Sequence, residues 1–265
     1  MNVAGDVAGD LGYATMAAFA ETLADAARPI ALRHFRTTLL VETKSDHSPV
    51  TIADRAIEDL LRARIEARFP DHGIYGEERG RSDAGRRCTW VIDPIDGTKS
   101  FISGMPTFGT LVALCVEGLP KIGVIDMPAL DERWTAAPGG PALWNGVACH
   151  TRQCRILGDA ILYTTSPDAF APAEWARFDA VSREARLRRF GGDCYSYGLL
   201  ASGLIDAVIE VGLHPFDIMS AVPVIQAAGG VVTGWAGEAL DLSSDGRVVA
   251  AATRELHDQL LARLS

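Results

Sequence analysis

The stretch WVIDPIDGTKSF, Trp90 to Phe101, runs an apolar strand into two acids separated only by Pro94 and Ile95, then straight into Gly97-Thr98. Carboxylates this close repel one another, and a folded protein tolerates that where a cation or a special hydrogen-bond arrangement offsets the cost. Gly97 lets a ligand approach the backbone closely. Free amides at the start of a helix favour an anion such as phosphate. One segment therefore offers acids for cations beside amides for an anion, a pairing that suits a metal-bridged phosphate. The competing reading is a strand-end turn in which an Asp caps the next helix.

Three further segments add acids at the edges of elements. YGEERG (75–80) carries Glu77 and Glu78 after a short strand; alone it reads as a solvated turn. VTIAD (50–54) puts Asp54 in the first turn of a helix. At about 100° per residue, Asp54 lies within about 20° of Leu61 and Ile65, so it points inward and needs a partner. HPFDIMSAVPVIQAAGG (214–230) places Asp217 in the first turn of a helix opened by Pro215, where an acid could simply answer the helix dipole. Four such sites resemble a cage for a hard cation. Magnesium takes oxygen ligands and keeps waters and substrate phosphate in its shell. Zinc would want His or Cys, and the six histidines, His34, His72, His150 and His214 among them, show no H-x-x-x-H or H-E-x-x-H spacing.

Apolar periodicity predicts a helix over 10–36, with Met16, Phe19, Leu23, Ala27 and Ile30 on one face and Pro29 as a kink or boundary. Residues 37–43 read as extended. KSDHSPVT is a polar turn, and Thr51 starts a second helix with Ile57, Leu60, Leu61, Ile65 and Phe69 inward. GIYGEE, CTWVID, FGTLVALCVEG, LPKIGVIDMP and ERWTAAP read as strands, with Gly118-Leu119-Pro120 as a hairpin tip. The turn-rich APGGPALWNG marks a boundary near residue 150. Beyond it, strands and helices alternate: strand AILYTTS, helix 171–183, strand LRRFGG, helix 194–203, strand IDAVIEV, helix 215–228, strands GGVVTGW and RVVAAAT, and a terminal helix. Residues 1–150 read as a lobe of helices on a mostly antiparallel sheet carrying most of the acids. Residues 151–265 read as an α/β lobe carrying Asp217.

The 265 residues are 48% apolar and 22% charged, which is ordinary globular composition and enough for a real core. A net charge of -9 argues against nucleic acid as a partner. Arg86-Arg87 and Arg186-Arg188-Arg189 read as solvated faces. Five cysteines with no Cys-x-x-Cys argue against a zinc site or a disulfide framework and fit a reducing compartment. The N-terminus has no basic n-region, and no apolar run is long enough to span a bilayer. A cytoplasmic protein without a membrane partner is the expectation.

Taken together, GEE, WVIDPIDGTKSF, the Asp217 segment ending in Ala-Gly-Gly, and the upstream KSDHSPVTIAD resemble the inositol monophosphatase superfamily of magnesium-dependent, lithium-sensitive phosphatases. The motifs come in the family's order and cover nearly the whole chain. The resemblance implies a layered α-β-α-β-α sandwich of two lobes, like the inositol monophosphatases and fructose bisphosphatases, within the α+β class. It implies that Glu77, Asp93 and the main-chain carbonyl of Ile95 hold one magnesium, and that Asp93, Asp96 and Asp217 hold a second. A third, weaker ion would use Glu77. Amides of Gly97 and Thr98 would bind phosphate, and Thr98 with Asp54 would orient and deprotonate the attacking water. Lys44 matches a family lysine near the metals.

FISGMPTFGT, GGDCY and PFDIMSAVPVIQAAGGVVTGW are similar to the histidinol-phosphate phosphatases within that superfamily. This implies hydrolysis of L-histidinol phosphate in histidine biosynthesis, with Asp193 and Glu210 facing the organic part of the substrate. Two acids suit an amine that is cationic at neutral pH, and they also suit hydroxyls. Asp193 could instead cap the helix that follows it. Inositol 1-phosphate, or a broad range of phosphomonoesters, is the rival substrate, and a non-catalytic metal or phosphate sensor is the rival from another class. No covalent intermediate is expected: the position two before Asp96 is Pro94, so the Asp-x-Asp nucleophile of the aspartyl-phosphate phosphatases is missing. The relatives suggest a homodimer.

Overall fold

The computed structural model describes residues 10–38, 41–43, 49–82 and 85–264. Lys44 lies outside the described residues. The chain opens with helix α1 (Asp10–His34), a two-stranded ribbon of β1 (Val41–Thr43) and β2 (Pro49–Thr51), and helix α2 (Ile52–Arg68). α1 runs on through Pro29 instead of ending there. A stripe of Ala20, Leu23, Ala24, Ala27 and Ala31 is fully buried, and this packing offsets the one hydrogen bond that proline removes. On α2, Asp54 and Glu58 are buried with Ile57, Leu61 and Ile65, while Leu60 is only half-buried.

The first large sheet contains β3 (Gly73–Gly76), β4 (Gly80–Arg81), β5 (Cys88–Asp96), β6 (Gly109–Val116), β7 (Leu119–Met127), β8 (Glu132–Ala136), β9 (Leu143–Trp144) and β10 (Val147–Ala148). The six-residue helix α3 (Thr98–Ser103) sits between β5 and β6. The strand order is β10-β9-β8-β7-β6-β5-β3-β4, antiparallel throughout except for β3 beside β5. The β6–β7 tip is Glu117-Gly118, not Gly118-Leu119-Pro120. Val116 pairs with Leu119, and both tip residues have positive φ, 54° and 81°. That is the primed turn whose twist matches the strands, and it leaves Leu119 and Pro120 in β7.

The second sheet follows: β11 (Ile161–Thr164), helix α4 (Pro172–Glu184), β12 (Leu187–Phe190), helix α5 (Tyr195–Ala201), β13 (Ala207–Glu210), helices α6 (Pro215–Ile218) and α7 (Ala221–Ala227), β14 (Val231–Thr233), β15 (Val248–Ala251) and helix α8 (Arg254–Leu264). Its order is β12-β11-β13-β15-β14, with parallel pairs at β11 and antiparallel pairs at β15. The single helix expected over 215–228 is broken at Met219-Ser220. Pro223 explains the restart: it falls in the first turn of α7, where its missing N–H is not needed. The break also seats the Ser220 carbonyl directly on Gly123 of β7, where a Cβ would lie 1.9 Å from that oxygen.

The layers follow from which faces are apolar. α1 and α2 cover one face of the eight-stranded sheet, with Trp90, Ile92, Val112, Leu114, Ile122 and Val124 beneath them. The alternate residues Val91, Leu111, Ala113 and Ile125 face α5 and α7, whose other side meets Val208, Val248 and Ala250 of the second sheet. Ala207, Ile209, Val249 and Ala251 turn outward to α4 and α8. Both faces of each central strand are covered, so these strands read as near-continuous apolar runs, and only a period of two separates the layers. Among the described residues, no helix is long and apolar enough to cross a membrane.

Candidate active site

Asp93 and Asp96 are three residues apart, and in a regular strand they would face opposite sides of the sheet. The pairing shows why they do not. Asp93 stands opposite Leu111 and Asp96 opposite Gly109, so β5 holds one extra residue between them. This bulge restores the parity and turns both carboxylates to one side. Pro94 sits inside the bulge, where a missing N–H does no harm to the ladder, and its carbonyl accepts the Thr110 hydroxyl at 2.8 Å. The chain then turns through Gly97, whose φ of 77° suits glycine, and enters α3.

Across the sheet face, α6 presents Asp217. Its Oδ2 accepts the His214 amide at 2.6 Å, completing a capping box that fixes the carboxylate in the first turn. Ligand oxygens of Asp93, Asp96 and Asp217 all lie within 4.8 Å of one another. Glu77 follows β3 directly, beside β5, and its charge acts on Asp54, Asp93, Asp96 and Asp217 alike. Asp54 accepts the amide and the hydroxyl of Thr51 through Oδ2. Its Oδ1 is buried with no hydrogen-bond partner among the described residues.

The electrostatics are those of a site short of positive charge. Burial, then the charges of Glu77, Asp96 and Asp217, hold the Asp93 carboxyl well above the usual carboxylate range. Burial, then Asp193, push Asp96 up to about 7, although the Cys194 amide donates to its Oδ2 at 2.8 Å. Asp217 is raised well above its ordinary value by burial and then by Asp96. Burial also raises Asp54, against the two bonds from Thr51. An all-oxygen donor set with mutual repulsion and an unpartnered buried oxygen fits a hard divalent cation. The Ile95 carbonyl accepts the Thr98 hydroxyl at 3.1 Å and keeps a second lone pair.

A cavity of about 210 Å³ opens beside these acids, lined among others by Asp96, Asp193, Tyr197, Glu210 and Asp217. Glu210, at the end of β13, is buried, and its Oε1 accepts the amide and hydroxyl of Thr165 at 2.9 and 2.8 Å. Burial outweighs those bonds and pushes its carboxyl up to about 8. Asp193 does not cap α5. It sits at φ 48°, and its Oδ2 takes the hydroxyls of Ser100 at 2.6 Å and Thr107 at 3.3 Å. It also packs on Gly97, where a Cβ would come within 2.9 Å of the Asp193 carboxyl carbon. The close approach at Gly97 is thus already made by the protein's own side chain.

Sequence reasoning missed Thr51, Glu58, Thr165 and Tyr197. Glu58 left a usable signal, because it lies one helical turn after Asp54 on the same buried stripe, and so did Thr51, which starts the helix three residues before Asp54. Thr165 and Tyr197 reach the site only through the tertiary fold, Thr165 by its two bonds to Glu210.

The profile of the inositol monophosphatase family matches residues 13–265. The chain is 43% identical over 257 residues to a chloroplastic bifunctional phosphatase of Arabidopsis thaliana, covering 94% of this chain and 74% of that one. It is 36% identical over 259 residues to a histidinol-phosphatase of Streptomyces coelicolor, covering 93% and 95%. Its fold superposes on an inositol monophosphatase from Zymomonas mobilis with a TM-score of 0.87 and 41% identity, over 94% of this chain and 97% of that one.

Proposed function

Since the chain belongs to the inositol monophosphatase family, we propose that it is a magnesium-dependent phosphomonoesterase whose substrate is L-histidinol phosphate. The observation that carries the reading is the converging trio of buried Asp93 with half-buried Asp96 and Asp217, opening onto a cavity edged by Asp193 and Glu210. Glu77, Asp93 and the Ile95 carbonyl would hold one magnesium, and Asp93, Asp96 and Asp217 a second, with Glu77 available to a third. Bound there, the ions would lower the pKa of water and offset charge on the leaving oxygen of an in-line displacement.

The chain's own groups do the rest. The Thr98 hydroxyl, donating to Ile95, keeps lone pairs that orient a water, and the open Oδ1 of Asp54 takes its proton. Amides of Gly97 and Thr98 would hold the phosphoryl oxygens. Glu210 and Asp193 would pair with the substrate ammonium, which returns to each carboxylate the positive charge that its buried setting lacks. With Pro94 where a nucleophilic Asp would stand, water attacks directly and no phosphoenzyme forms.

The Streptomyces coelicolor relative supports histidinol phosphate, while the Zymomonas mobilis likeness supports inositol 1-phosphate as the second reading. Phosphate release from both esters under magnesium separates them. Faster turnover of histidinol phosphate is expected, and equal or better turnover of inositol 1-phosphate overturns the assignment. No release from any ester at saturating magnesium would point to a metal or phosphate sensor instead. Lithium at millimolar levels inhibits in this reading. The assembly is expected to be a homodimer, and light scattering that gives a monomer mass would end that expectation.

A further inference from the structure

We propose that Glu58 is a positioning residue for the acid site: it clamps the turn that carries Glu77 and so sets Glu77 against Asp93. The inference rests on the reading of Glu77 as a cation ligand.

Glu58 lies on α2 one turn after Asp54 and is fully buried. A buried carboxylate is retained only where its oxygens are satisfied. Of the three hydrogen bonds to its carboxylate among the described residues, two come from the Glu77 turn. Oε2 accepts the Glu78 amide at 2.7 Å, and Oε1 accepts the Arg79 amide at 2.9 Å. The remaining donor, Arg62 Nε at 2.8 Å, sits at i+4 on the same helix, and Arg62 Nη2 in turn donates to the Gly80 carbonyl. The Glu58–Arg62 pair thus holds amides 78 and 79 and carbonyl 80, the whole tip between β3 and β4.

The tip itself is a three-residue loop closed by Gly80 at φ 69°, with Gly76 paired to Gly80. Gly76 lies against the clamp, where a Cβ would fall 2.3 Å from Glu58 Oε1. Glu77 is the residue between this contact and the two bonded amides, so its backbone is held from both sides. One helix therefore carries Asp54 into the site directly and Glu77 through Glu58. The spacing of two acids along a rigid rod becomes the spacing of two groups around the cation site.

Magnesium binding by calorimetry, without substrate, tests this on wild type, E58Q, E77Q and E58Q/E77Q, with thermal melting alongside. E58Q is expected to weaken magnesium binding by roughly 10–100-fold and to add less than about 3-fold in the E77Q background, because it acts through Glu77. A lowered Tm with wild-type magnesium affinity in the folded protein would make Glu58 merely structural and overturn the proposal. So would additive losses in the double variant. Unchanged binding in E77Q would instead overturn the ligand reading beneath it. G76A pushes on the same carboxylate while leaving Glu58 in place, and it should weaken binding in the same direction if E58Q folds poorly; wild-type affinity there also counts against the clamp.

Discussion

Replacing Asp93 by Asn should make the metal-free protein more stable while removing its response to magnesium. Asp93 is 1% exposed, with oxygens within 4.8 Å of those of Asp96 and Asp217. Two ionised carboxylates at that separation repel by about 3 kcal/mol at an effective dielectric of 20. The wild type escapes part of this by holding protons, which is why Asp93 and Asp217 sit well above the ordinary range and Asp96 rises to about 7. The sign follows. A carboxyl raised in the folded state contributes stability that is present below its unfolded pKa near 4 and lost as pH rises through the folded value. The gain from D93N is therefore below about 0.5 kcal/mol at pH 4 and about 1–3 kcal/mol at pH 8.5, or a Tm rise of about 2–10 °C in a chain of this size. The Asn keeps the oxygen that accepts the Ile95 amide at 3.1 Å, so the bulge survives. Melting in chelator and in excess magnesium, at both pH values, measures the effect. Wild type should gain about 3 kcal/mol at a hundredfold excess over Kd, D93N almost none, and phosphatase turnover should vanish in D93N. A metal-free D93N that is less stable than wild type at pH 8.5, or one that keeps the magnesium-induced rise, would refute the reasoning.

D54N would remove the proposed proton acceptor but none of the converging trio; kcat should fall by about 10²–10⁴-fold while magnesium still raises Tm, and a normal kcat would assign the proton elsewhere. E210Q should change the ratio of kcat/KM between histidinol phosphate and inositol 1-phosphate by about 10-fold, or about 1.4 kcal/mol; loss of the magnesium response instead would mean that Glu210 serves the cation. Glu210, pushed up to about 8 from 4.5, makes the metal-free fold lose stability as pH rises from 4.5 to about 8. E210Q should flatten that slope by a few kcal/mol, and parallel wild-type and E210Q stability curves would show that the carboxyl titrates normally.

The identities of the acids were legible because each lies in a local pattern: a strand end for Asp93 and Asp96, a first helical turn for Asp54 and Asp217. The inward direction of Asp54 followed from helix geometry alone, and α2 buries it. The strand was expected to end at Asp93, whereas β5 continues to Asp96 through the bulge. Nothing in a string of letters marks a bulge, since it is defined by what stands opposite on β6. The break between α6 and α7 carried a signal in Pro223, but the close contact of Ser220 on Gly123 that it permits joins residues 97 apart. Lys44 falls outside the described residues.

Periodicity determines by itself helices on a mostly antiparallel sheet followed by an α/β half, and the Asp-Pro-Ile-Asp-Gly-Thr segment the chemistry on offer, because helix and strand periods and side-chain acidity are local properties. Which oxygens share a volume is not local. Asp217 comes within 4.8 Å of Asp93 only because two sheets close on the same middle layer of helices. Glu58 reaches the amides of 78 and 79 only because α2 lies across β3. Burial in that shared core lifts Asp96 to about 7 and Glu210 to about 8. The cost of desolvating a charge depends on everything packed around it, and that is decided only when the chain has folded.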